Sequence, residues 1–161
     1  MIKNISIPDA NNIYGVFFSH QIMENGELRF RLISNDGSSY IRTVSVKDGW
    51  QSAHFHKTGH EVYIVQDGWM VMATSVEGGT LIKRYGPGSV VFLHAPTLHN
   101  IYLPENAVIH TVKYGMIDYD DWCPSEELQE ITMKYSKQDL EELPAENVIT
   151  EVSTNEKQSN S

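Results

Sequence analysis

The chain has a single cysteine, Cys123, among 161 residues. One thiol excludes an internal disulfide framework and suits a reducing compartment. Long apolar runs are missing as well. Nothing approaches the roughly 20 residues of a membrane-spanning helix, and Met1 to Pro8 lacks the apolar stretch of a signal peptide. Basic residues are scarce, with 12 Lys and Arg against 21 Asp and Glu, for a net charge of −9. Residues 1–117 carry nine of each sign, whereas residues 118–161 carry three basic and twelve acidic groups. A neutral body with an acidic tail offers no basic patch to phosphates, which excludes nucleic acid as a partner. No internal repeat is visible. The expectation is a soluble cytoplasmic protein, with length for one well-buried core and not for two ordinary domains.

What the chain does have is short strands. Residues 1–117 read as apolar alternations broken by turn signals, the pattern of an all-β sandwich or barrel. Ile2 to Ile7 reads as an edge strand stopped at Pro8. Tyr14, Val16, Phe18 and Ile22 alternate next. Leu28, Phe30 and Leu32 then alternate with Arg29 and Arg31, apolar in and polar out. Further strands are expected at Tyr40–Val46, Trp69–Ser75, Leu81–Tyr85, Val90–Leu93, His99–Leu103 and Val108–Tyr114. From residue 118 the period changes. Pro124 opens a helical spacing through Leu128, Ile131, Thr132 and Tyr135, and Ser136 to Asp139 reads as a capping box for a second short helix ended by Pro144. Residues 118–144 are therefore a helical extension expected to cover one side of the barrel. Residues 145–161 are polar without periodicity and are expected to be disordered.

All seven histidines lie in the neutral part. His54 and His56 are two apart, so a strand points both to one face. The Lys57-Thr58-Gly59 turn reverses the chain, and a hairpin brings the Glu61 carboxylate beside the two imidazoles. A fourth ligand must come from elsewhere, and Gly88 to His99 offers one.

These residues resemble the cupin superfamily. Gly49, His54, His56, Glu61 and Gly68 follow its first motif, with four residues between His56 and Glu61 and six between Glu61 and Gly68. The second motif is followed more loosely, through Gly88 and His99, and departs at Ser89, His94, Pro96 and Leu103. The resemblance implies a cupin-type jelly-roll barrel, the double-stranded β-helix, over residues 1–117. It also implies one divalent metal on His54, His56, Glu61 and His99, with a small-molecule site inside the barrel. Three neutral imidazoles and a carboxylate suit zinc, manganese, iron, nickel or cobalt. An octahedral ion would keep two positions open for a chelating substrate, sugar-like or a carboxylate.

Period two assigns the surroundings. With Glu61 inward, Tyr63 and Val65 point inward, and Val62 and Ile64 form an apolar outer stripe that fits a homodimer. On the last strand His110 shares a face with Val108 and Val112 and is expected in the barrel, as a proton shuttle or as a hydrogen-bonded core histidine. Arg42 is expected at the barrel mouth, as an anion clamp or a solvated edge residue. With His110 and Tyr63 as acid–base candidates, the first functional expectation is an isomerase or epimerase of a polyoxygenated, sugar-like compound. An iron-dependent dioxygenase and a non-catalytic binding or regulatory protein are the alternatives.

Overall fold

A chain whose apolar residues recur at every second position must bury one face of each strand and pair its edges. In the computed structural model, which describes residues 1–154, this gives two packed sheets. The order is α1 (Ile7–Tyr14), β1 (Val16–Ile22), β2 (Leu28–Ser34), β3 (Ser39–Val44), β4 (Gly49–Trp50), β5 (His54–His56), β6 (His60–Asp67), β7 (Met70–Val76) and β8 (Gly79–Tyr85). Then come β9 (Val90–Leu93), β10 (His99–Leu103), β11 (Val108–Tyr114), β12 (Trp122–Pro124), α2 (Glu126–Thr132), α3 (Lys137–Glu141), β13 (Ala145–Glu146) and β14 (Ile149–Val152).

The first sheet runs β1-β2-β3-β11-β6-β9-β14. The second runs β12-β5-β10-β7-β8-β13, with β4 also paired to β10. Strands far apart in sequence are hydrogen-bonded neighbours, as in β3–β11 and β5–β10. This is jelly-roll wiring. Between the sheets sit Val65, Met70, Val91, Ile101, Leu103 and Ile109, all essentially without exposed surface. Each side chain of this size contributes about 1.5–3 kcal/mol when fully buried.

Two short helices lie within the expected extension, but Pro124, expected at the first helix's start, belongs to β12, which pairs with β5. Ser125 caps α2, and Ser136 and Asp139 form the expected capping box of α3. Leu140 of α3 is fully buried against Val71 and Tyr102 on the outer side of the second sheet.

Three further expectations are corrected. Residues 2–7 form no strand: Pro8 lies in the first turn of α1, and Ser6 and Asp9 make a reciprocal capping box, so the residues read as a strand stop are a helix start. The segment after Pro144 is not disordered throughout. β13 and β14 pair in parallel with β8 and β9, supplying partners to two sheet edges that would otherwise be bare, and Val152 packs on the core. Residues 155–161, the rest of that expectation, lie outside the described residues.

The third correction concerns β2. Arg29 and Arg31 face the barrel interior and line a cavity there. Leu28, Phe30 and Leu32 therefore lie on the outer face, where Phe18 and Tyr40 flank Phe30. The period was legible, but its phase was inverted because this end of the interior is polar.

Candidate metal centre

Three short elements converge on one point. β5 carries His54 and His56 on one face, and β6 brings Glu61 in after the reversal at Gly59. β10 lies antiparallel to β5 with His99 directly opposite His54. Glu61 Oε1 is 3.3 Å from His56 Nε2, and Glu61 Oε2 is 3.2 Å from His99 Nε2. Ligand atoms of His54, Glu61 and His99 all lie within 4.8 Å of one another. His56 adjoins this trio through its Glu61 contact. His56, Glu61 and His99 are buried, and His54 is half-buried.

Each imidazole has its other nitrogen committed. His54 Nδ1 lies 2.7 Å from the Ser52 carbonyl and His99 Nδ1 2.9 Å from the Thr97 carbonyl. A carbonyl only accepts, so both Nδ1 atoms carry the hydrogen. His56 Nδ1 lies 2.8 Å from Asp121 Oδ2, a carboxylate partner of the same kind. In neutral rings all three Nε2 lone pairs then face the Glu61 carboxylate or the space beside it. Acceptors gathered against acceptors favour a shared positive charge between them. This tautomer pattern, fixed from behind by carbonyl and carboxylate partners, is how proteins orient metal-binding histidines. Burial, and then the neighbouring His99, lower the His54 pKa to about 3, so that ring stays neutral. Burial pushes the Glu61 carboxyl up, yet its contacts with His56 and His99 outweigh that and hold it well below the usual range. The donor set fits a divalent ion.

Tyr63 stands inside the set. Its hydroxyl donates to Glu61 Oε2 at 2.9 Å and lies 3.2 Å from His99 Nε2. Burial and then the Glu61 charge raise the phenol well above its ordinary value, so it remains a proton donor.

His110 and Arg42 are not there. Both lie on the outer face of the first sheet as register partners, and neither lines the cavity. His110 instead bridges the Tyr40 hydroxyl (2.7 Å) and Gln66 Oε1 (2.6 Å). On β11 it is Ile109, Thr111 and Lys113 that face inward, so the expected phase is again off by one residue. His94, near enough in sequence to compete with His99, contacts Glu151 and stays out of the ligand group.

Sequence reasoning missed Asp121. It sits in what reads as an acidic tail, yet it is buried and accepts from the Thr58 and Gly59 backbone N–H groups at 2.8 and 3.1 Å. Lys113 Nζ lies 3.0 Å from the oxygen that also meets His56. Burial pushes the Asp121 carboxyl up, but these donors override it and keep the group ionised. A Cβ on Gly59 would come within 2.9 Å of Asp121 Oδ2 and 2.7 Å of Lys113 Cε, so a larger residue would have to displace the ends of these two side chains. No local spacing signals such a contact.

His54, His56 and Glu61 open on a cavity of about 340 Å³, shared with Tyr63, Arg29, Arg31, Lys113 and Trp122, while His99 lies fully buried behind them. Among the described residues, no helix is long and apolar enough to cross a membrane.

No protein-family model matches the sequence, and no curated protein matches it. Solved structures do resemble the fold. Oxalate decarboxylase from Bacillus subtilis at pH 4.6 superposes with a TM-score of 0.56 at 15% identity, over 89% of this chain and 40% of that one. A structure concerned with the Mn(II) centres of the same enzyme gives a TM-score of 0.55 at 15% identity, with the same coverage. This chain thus spans less than half the length of those neighbours. Oxalate decarboxylase is a cupin, and the paired sheets, the jelly-roll wiring and this likeness together give the present chain the cupin fold.

Proposed function

We propose that the protein is a metal-dependent enzyme that moves a proton on a small polyoxygenated substrate, as an isomerase or epimerase. The observation that carries this reading is the Tyr63 hydroxyl, a buried and protonated donor set between Glu61 and His99 at the edge of the cavity. His54, His56, Glu61 and His99 would hold the ion, which when bound polarises a substrate carbonyl. The protein's own residues do the rest. Asp121 and the Ser52 and Thr97 carbonyls fix the three rings. Glu61 orients the Tyr63 hydroxyl, and Tyr63 is placed to deliver a proton to a substrate oxygen. Tyr63 would then serve in both directions in place of His110, its hydroxyl giving a proton to the substrate oxygen and the phenolate left behind taking the proton from the neighbouring carbon.

Two further readings go with this one. The half-buried free thiol of Cys123 supports a reducing, cytoplasmic setting. The apolar outer face of the first sheet supports a homodimer.

The test is metal analysis of protein purified without added metal, followed by assays in heavy water with candidate hydroxy-carbonyl compounds. Deuterium should enter the carbon beside the carbonyl. Tyr63→Phe should keep the metal and lower turnover at least tens-fold, within the roughly 10²–10⁴-fold range of general acid–base groups. Iron together with substrate-dependent oxygen uptake would replace this reading with the dioxygenase one.

A further inference from the structure

The cavity beside the ligand set has a charged wall that the proton-transfer reading does not use. Arg29, Arg31 and Lys113 all line it. Two of these cations are matched. Arg29 donates to Glu27 Oε2 through Nε at 3.0 Å, and buried Glu27 also accepts from Gln51. Lys113 is paired with Asp121. Arg31 differs. Its Nε donates to the neutral amide of Gln21 at 2.7 Å, and among the described residues no carboxylate lies within ion-pair distance of it. Among the described residues its other N–H groups have no protein partner, so the half-exposed guanidinium is open to a ligand.

The register gives its position. Arg31, Ile41, Thr111 and Tyr63 follow one another across β2, β3, β11 and β6 on the inner face. Three inter-strand steps of about 4.8 Å separate the Arg31 and Tyr63 backbones by roughly 14 Å before curvature. Arg31 Nε meets Gln21 of β1, on the side of β2 away from Tyr63, so the guanidinium stands at the far end of the cavity and the space between is left for a ligand. A cavity of about 340 Å³ lies near the small end of the range for ligand sites. Charge points the same way: with the two matched pairs set aside, Arg31 and a divalent ion on Glu61 leave the cavity positive.

We propose that Arg31 is an oxyanion receptor, and that the substrate is a short polyoxygenated chain bearing a carboxylate or phosphate at the end remote from the metal. The planar guanidinium fork binds either group through two parallel hydrogen bonds. The proposal rests on the metal-enzyme reading for the other end of the ligand.

Calorimetric titration of the metal-loaded, full-length protein with erythritol, erythronate and erythritol 4-phosphate tests it. The three share a four-carbon chain and differ in the terminal group. At least one anion should bind about tenfold or more tightly than erythritol, consistent with charge-assisted pairing, and which one does so separates carboxylate from phosphate. Arg31→Gln should erase that preference while leaving the metal content intact. Arg31→Lys keeps the charge and loses the fork, so it should retain only part of the preference, and it decides the matter if Arg31→Gln does not fold. Equal binding of all three compounds, no anion binding at millimolar concentration, or an unchanged preference in Arg31→Lys would overturn the proposal. Failure of the proton-transfer reading shows instead as missing deuterium incorporation, which these titrations do not measure.

Discussion

The two sheets turn outer faces of opposite character to their surroundings. On the second sheet, Val71 and Tyr102 are covered by Leu140 of α3, with Trp50, Trp69, Ile82 and Leu143 packed around them. On the first sheet, Phe18, Phe30, Tyr40 and His110 follow one another across four strands with ring centroids 5.7–6.5 Å apart. Val62 lies between Val112 and Phe92 in the same face, and these two remain 36% exposed. One apolar face is closed by the chain's own C-terminal extension, and the other has no comparable cover among the described residues. Water contact with that much contiguous apolar surface is unfavourable, and such patches mark interaction sites. The C-terminal extension thus finishes only one of the barrel's two outer faces.

The covered face is the more costly to disturb. Leu140 has no exposed surface, and Leu140→Ala removes the contact that holds α3 against Val71 and Tyr102. A loss of about 2–5 kcal/mol is expected in urea denaturation, as for other large-to-small core changes. A loss below about 1 kcal/mol, the size of an ordinary surface effect, would mean that α3 is an ornament on the sheet and that the two faces are alike.

The uncovered face should respond in assembly. Light scattering at micromolar concentration should report a dimer for the native protein. The double substitution Val112→Lys and Phe92→Lys places charges on both sides of Val62 and should yield monomers that remain folded. A native protein of monomer mass would remove the second copy as the missing cover.

Much of this was legible beforehand. The strands from Trp69 to Tyr114 fall where the alternation places them, because a polar turn brackets each one and period two survives twist. The convergence of His54, His56 and Glu61 was legible because His54 and His56 share a strand face and Glu61 follows a tight turn. Phase was not legible at Arg31, Arg42 and His110. A rule that sends apolar side chains inward fails where the interior is a charged cavity and the exterior an apolar face, and there a one-residue error moves every side chain across the sheet. Asp121 escaped for a different reason. It reaches His56 across 65 positions of sequence, and proximity at that range is set by the completed fold. β13 and β14 escaped because edge pairing uses backbone groups, which every sequence has.

The smallest expected effect tests whether the outer face and the chemistry are separate. Gln66 Oε1 can only accept, so His110 donates to it through Nε2–H, and the Tyr40 hydroxyl then donates to Nδ1. His110→Gln keeps one donor and one acceptor but shifts both, and should cost no more than about 0.5–1.5 kcal/mol for a hydrogen bond lost. Burial, and then Arg42 beside it, lower the His110 pKa in the folded protein. The unfolded chain therefore binds the proton more readily, and this group's share of stability is full above an ordinary histidine pKa and declines as pH falls below it. Replacing His110 should make the acid limb of stability slightly shallower. Metal content should not change, and turnover should stay within about twofold, because no cavity residue hydrogen-bonds to this ring and no acid–base group is lost. A loss as large as that of Tyr63→Phe would show that the bridge from Tyr40 to Gln66 reaches the metal centre. The two faces of the first sheet would then be one functional unit, and the separation drawn between them would fail.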